Sequence, residues 1–130
     1  MKFVKIVNNS FSNHIVDSKE SYGPIQYENI STITFTDIKE KPDLMKINIE
    51  GHEIKLIPSI DESLWDSCDA LIELHGEESV KSIFTYFKNF KKNKYFSQKN
   101  FLNKVNKIEE MPLNYKEGVI FVSALDEMPW

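Results

Sequence analysis

The sequence predicts an α+β domain built on a mostly antiparallel sheet of five to six strands, with about three helices inserted before the last strand. Three observations carry this. Short stretches before Pro58 alternate apolar with polar residues, the segment from Ser59 to Lys107 keeps helical spacing, and Val119-Ile120-Phe121-Val122 is an unbroken apolar run. With 130 residues, 41% of them hydrophobic, the chain has the size of one domain spanning residues 1–130 and can bury a single core.

Lys2 to Val7 reads as the first strand, Ile15-Val16 as a short extended piece, and Tyr22-Gly23-Pro24 as a turn. From Thr32 to Ile38, Ile33, Phe35 and Asp37 alternate with Thr32, Thr34 and Thr36, the period-two pattern of a strand with one wet face. Met45, Ile47 and Ile49 then face Ile54 and Leu56 across a two-residue loop, Gly51-His52, with glycine first as a type II′ turn prefers. That register pairs Ile49 with Ile54 and Ile47 with Leu56, which puts Glu53 and Lys55 on the surface beside the turn.

Ser59 to Gly76 predicts the first helix, with Ser59 and Glu62 at capping-box spacing and Asp61 as a second cap. Leu64, Trp65, Cys68, Leu71, Ile72 and His75 fall on its apolar half. Glu62, Asp66, Asp69 and Glu73 recur at i, i+4, i+7 and i+11, so they form one acidic stripe opposite. A second helix starts at Glu77 or Ser79 and carries Val80, Ile83, Phe84, Phe87 and Phe90. Ser97 caps a third, with Phe101, Leu102, Val105 and Ile108, which ends before Met111-Pro112. Val119 to Val122 predicts a central strand covered on both faces.

Charge is segregated along the chain. Residues 61–78 hold Asp61, Glu62, Asp66, Asp69, Glu73, Glu77 and Glu78 and no lysine, whereas residues 79–107 hold eight lysines and no acid. Like-charge neighbours without an i,i+4 lysine destabilise a helix by about 0.2–0.5 kcal/mol per pair, so the stripe is what a surface for a basic partner would look like. All basic residues are lysine, which removes the side chain best suited to bidentate phosphate contacts. The N-terminus lacks a long apolar run, so a soluble cytoplasmic protein is expected.

Catalytic and metal signatures are sparse. Pro42-Asp43 followed by Glu53-Ile54-Lys55 resembles the short signature of restriction-endonuclease-like enzymes, but the expected hairpin separates the two carboxylates by about 20 Å, too far to share a metal. His14, His52 and His75 are scattered, and His75 reads as a packed core histidine. Cys68, the lone cysteine, reads as a small core residue. No glycine-rich phosphate or dinucleotide turn is present. The Lys81 to Lys107 segment, with Tyr86, Tyr95 and Phe96, offers a nucleic-acid surface as the alternative function, against a net charge of −4.

In size, charge and A/T-biased composition, and in the stripe Glu62, Asp66, Asp69 and Glu73, the chain resembles immunity proteins of bacterial polymorphic toxin systems, including contact-dependent growth inhibition. The resemblance implies a non-enzymatic inhibitor that needs no cofactor and no metal and binds a cognate, basic, nuclease-type toxin. Its contact residues would be Glu62, Asp66, Asp69, Glu73, Glu77 and Trp130, with Tyr115 and Trp65 as further aromatic anchors.

Overall fold

The computed structural model describes residues 1–8, 12–17, 20–89, 94–97, 103–123 and 125. They form two sheets rather than one. The first is an antiparallel three-stranded sheet in the order β2-β1-β3, made of β1 (Lys2–Ile6), β2 (His14–Ile15) and β3 (Ile25–Asn29). Val4 and Ile6 point inward from β1 while Lys5 is exposed on the opposite face, as a strand's two-residue period requires. Four of the five residues of β3 are exposed, and Lys5 and Glu28 form an ion pair on this sheet.

The second sheet has the order β4-β5-β8-β6-β7, with β4 (Leu44–Ile47), β5 (Asp69–Ile72), β6 (Lys94–Ser97), β7 (Asn103–Lys104) and β8 (Ile120–Ser123). β4 and β5 are parallel, Ile47 lying opposite Ile72. β8 runs antiparallel to both of its neighbours, so β4, β5 and β6 share one direction with β8 inserted between the last two. All four β8 residues are buried, Ile120, Phe121 and Val122 in keeping with their apolar run and Ser123 beside them.

Two α-helices occur among the described residues, α1 (Glu53–Leu56) and α2 (Gly76–Lys88). α2 is amphipathic: Val80, Ile83 and Phe87 enter the core at helical spacing, and Glu77 and Glu78 sit in its first turn, where the helix dipole favours acids. The main core joins this face to Ile47 of β4, Ala70 and Ile72 of β5, Ile120 and Val122 of β8, and Ile57, Leu64, Trp65 and Cys68 from the β4–β5 connection. Trp65 meets Phe87 edge-on at 5.1 Å and donates its indole N–H to the Tyr86 hydroxyl at 3.2 Å.

The expected single sheet with three inserted helices is therefore corrected in four places. Thr32 to Ile38 is not a strand, because the Asp37 carboxylate accepts from the Thr34 N–H and hydroxyl, both at 2.8 Å, and closes a 3-10 turn over Phe35–Asp37. The hairpin after Ile49 does not form, since β4 pairs with β5 and Glu53 begins α1. The helix expected over residues 59–76 divides into a 3-10 turn, Glu62–Asp66, and the strand β5. Ala70, Ile72 and Leu74 are buried at a two-residue period that the helical reading missed. Where the third helix was expected after Ser97, β7 and a 3-10 turn at Ile108–Glu110 stand instead, and Phe101 and Leu102 lie outside the described residues.

No helix among the described residues is long and apolar enough to cross a membrane.

Candidate functional site

The carboxyl ends of β4 and β5 lie side by side, and the two turns that leave them bring polar groups together. After β4 the chain passes through Glu50 at φ +54° and Gly51 at φ +96° before entering α1. These left-handed residues turn the backbone back over the strand end, a conformation glycine adopts without cost. After β5 it passes through Glu73 and His75 and enters α2 at Gly76, φ +86°. The Glu73 N–H donates to the Ile47 carbonyl at 2.9 Å and locks the second turn beside the first.

Glu53 is the anchor. It is fully buried, and its Oε1 accepts from the Ile49 and Gly51 N–H groups at 3.2 and 3.3 Å and from His75 Nδ1 at 3.0 Å. Its other oxygen, Oε2, is buried without a partner among the described residues. The donation through Nδ1 assigns the tautomer that leaves the Nε2 lone pair outward. Glu73 Oε1 and Glu50 Oε2 stand 3.6 and 3.8 Å from that Nε2, beyond hydrogen-bond distance but close in charge. Asn48 donates to Glu73 Oε2 at 2.9 Å and fixes that carboxylate.

The electrostatics follow from these neighbours. The bond to Glu53 raises the His75 pKa above the ordinary histidine value; partial burial opposes this, and the charges of Glu53, Glu50 and Glu73 reinforce it. Burial pushes Glu53 up, but the His75 bond and the backbone N–H groups of Glu53 and Gly51 together outweigh it and hold the carboxyl below its ordinary range. Beside this pair lies a cavity of about 220 Å³ whose walls include Asp17, His52, Lys55, His75 and Glu78.

No group of acids, histidines or cysteines among the described residues is arranged to hold a metal ion. Cys68 is buried and its thiol is pushed up to about 11, by burial first and then by the charges of Asp69 and Asp43, so it is an inert core residue.

The residues expected to bind a partner are not gathered on one helix face. Glu62 and Asp66 are exposed on the 3-10 turn, Asp69 is half-buried on β5, Glu73 belongs to the histidine cluster, and Glu77 is exposed in the first turn of α2. Tyr115 is exposed, whereas Trp65 is fully buried and presents nothing to a partner. Trp130 lies outside the described residues, as do Lys91, Lys92 and Lys99 of the lysine segment. The Glu53 expected at the surface is the most buried acid of the site, and His75 is a partly exposed group ringed by carboxylates rather than a packed core histidine.

Residues 4–107 match the methyltransferase FkbM domain, which is well over half of the chain. No curated protein and no solved structure matches. The family match overturns the expected toxin inhibitor, its nucleic-acid-binding alternative and the expectation of a non-enzyme. The partner-binding stripe was read on an acidic helix that does not form, so that part of the physical basis falls as well. The chain belongs to the FkbM methyltransferase domain family.

Proposed function

We propose that the chain serves methyl transfer to an oxygen acceptor, and that its own part is proton handling by His75 and Glu53. The supporting observation is the 3.0 Å bond from His75 Nδ1 to a fully buried carboxylate, placed at the carboxyl ends of two parallel strands. Ligands of open α/β sheets bind at that end. A hydroxyl acceptor seated beside His75 gives up its proton to Nε2. The resulting imidazolium is held by Glu53 through Nδ1 and faces Glu50 and Glu73 within 4 Å, which stabilises the charge that develops. The Glu53 bond raises the His75 pKa and so makes the ring a stronger base than a free histidine. Glu53 positions the ring and does not touch the acceptor.

The family implies a methyl donor, and the described residues do not fit one of nucleoside type. Binding of that kind uses a glycine-rich turn whose free N–H groups face the ligand. Here the Ile49 and Gly51 N–H groups are taken by Glu53, that of Glu73 by Ile47 and that of Gly76 by Leu113. The cavity beside His75, about 220 Å³, is below the roughly 300–1,000 Å³ of ordinary ligand pockets. A larger cavity of about 470 Å³ lies along α2 from its first turn, lined by Glu77, Val80, Lys81, Ile108, Met111 and Leu113. No step is therefore routed through the donor here.

The role of His75 is tested by adding the purified chain to an extract of source cells lacking it and following labelled methyl groups into hydroxyl-bearing products. Wild type should restore labelling, and His75→Gln should lower the rate by about 10²-fold or more. Restoration by His75→Gln at the wild-type rate would end this reading.

A further inference from the structure

We infer that the cavity beside His75 binds a small zwitterion, an α-amino acid whose side chain carries a hydroxyl. Its role as the methyl acceptor rests on the methyl-transfer reading, whereas its recognition rests on the walls of the cavity alone.

Three separate segments build this cavity. Asp17 follows β2, His52 and Lys55 come from the entry and the body of α1, and His75 and Glu78 come from the entry and the first turn of α2. Asp17, Lys55 and Glu78 are exposed, and no ion pair among the described residues holds any of them. Charges of both signs thus stand around one cavity without neutralising each other. They are complementary to a ligand that carries both signs itself.

The charge pattern decides the chemical class. A wholly anionic ligand would meet Asp17 and Glu78 in the same walls, with Glu50 and Glu73 within 4 Å of His75. A wholly cationic ligand would meet Lys55. A zwitterion satisfies both sides: its carboxylate accepts from the Lys55 ammonium and a His52 ring N–H, and its ammonium donates to Asp17 and Glu78. The remaining polar wall is His75, which receives the side-chain hydroxyl at Nε2. Volume sets the size, since about 220 Å³ is too small for a drug-sized ligand and ample for a single amino acid.

The probes are L-serine and L-homoserine, titrated into the purified chain and followed by the NMR shifts of the protein. At least one should bind saturably at about millimolar concentration or tighter. The carboxamide of that amino acid lacks the negative charge and its N-acetyl derivative lacks the positive one. Each should bind about tenfold more weakly or worse, as should D-glucose, a neutral polyol. Lys55→Met removes the cation and keeps the stem, so it should bring the amino acid level with its carboxamide. Asp17 stands at φ +68°, a conformation asparagine also tolerates, so Asp17→Asn with Glu78→Gln should bring the amino acid level with its N-acetyl derivative. These positions are exposed, and the variants should fold. No saturable binding by either amino acid, or binding of the carboxamide, the N-acetyl derivative or glucose as tight as that of the amino acid, overturns the inference. So does restored methyl labelling of the cell extract that never reaches an amino-acid hydroxyl, and this outcome leaves the methyl-transfer reading standing. Charge-selective binding without restored labelling supports the zwitterion site and ends the methyl-transfer reading instead.

Discussion

The N-terminal sheet and the sheet built on β4 and β5 each place a histidine at a strand or its end, and the partners differ. His14, buried on β2, spends Nδ1 on the Ser12 carbonyl at 2.8 Å and Nε2 on the Ser21 hydroxyl at 3.0 Å, so both nitrogens meet neutral groups and the ring simply fills its place. His75 donates through Nδ1 to a buried carboxylate, and its Nε2 stands 3.6 and 3.8 Å from two more. Burying Glu53 with one oxygen unpaired among the described residues is costly, and a fold optimised for stability alone would avoid it. The first sheet is thus scaffold, and the polar end of the second is where the chain gives up stability for chemistry.

The largest expected effect falls in the core that supports the second site. Trp65→Ala removes a fully buried ring from Phe87 and a donor from Tyr86, and should cost about 3–5 kcal/mol in urea unfolding. A loss below about 1 kcal/mol would mean that the Trp65 and Phe87 contact does not organise the β4–β5 connection.

A smaller effect should appear with pH and should be confined to the second site. The His75 pKa is raised in the folded state, so its contribution is complete below about 6.5 and fades as pH rises through the higher folded value. That of Glu53 is lowered, so its contribution is present above about 4.5 and fades as pH falls through the lower folded value. Urea midpoints should therefore decline on the alkaline side above about pH 6.5. His75→Gln should remove that decline and keep part of the acid one, because the Gly51 and Ile49 N–H groups still hold Glu53. An alkaline decline that persists in His75→Gln would place its origin elsewhere.

The smallest effect belongs to the first sheet. Lys5 and Glu28 are about half exposed, so Lys5→Ala should change stability by less than about 1 kcal/mol in the same assay. A larger loss would show that this sheet depends on charge in a way its exposed geometry does not suggest.

Where sequence pattern and structure agree, one period dominates the segment. Val80, Ile83 and Phe87 made α2 legible, and the run through Ile120 and Val122 made β8 legible. Where they part, two periods compete. Leu71, Ile72 and His75 complete a helical stripe with Leu64, Trp65 and Cys68, yet Ala70, Ile72 and Leu74 also alternate, and pairing on both sides of β5 decided the contest. The like-charge row Glu62, Asp66, Asp69 and Glu73 was a signal against that helix, because its repulsion would weaken a helix that formed. Thr34 and Asp37, at capping spacing, likewise signalled a turn inside an apparent strand.

The site was harder to read because its parts come from separate turns. Glu50 and Glu53 follow β4, Glu73 and His75 follow β5, and only the parallel pairing of the two strands brings them together. Reading Gly51-His52 as a hairpin sent β4 to the wrong neighbour and Glu53 to the surface. Parallel pairing through a crossover leaves no local mark at the turn itself.

The most direct measurement is the titration of the His75 ring by NMR, in wild type and in Glu53→Gln. The account predicts a midpoint above the ordinary value of about 6.5 in wild type, and a clear fall when the buried charge is replaced by an amide of the same shape. Equal midpoints in the two proteins, both near the ordinary value, would contradict it: Glu53 would then not govern His75, and the carboxyl ends of β4 and β5 would hold no tuned base.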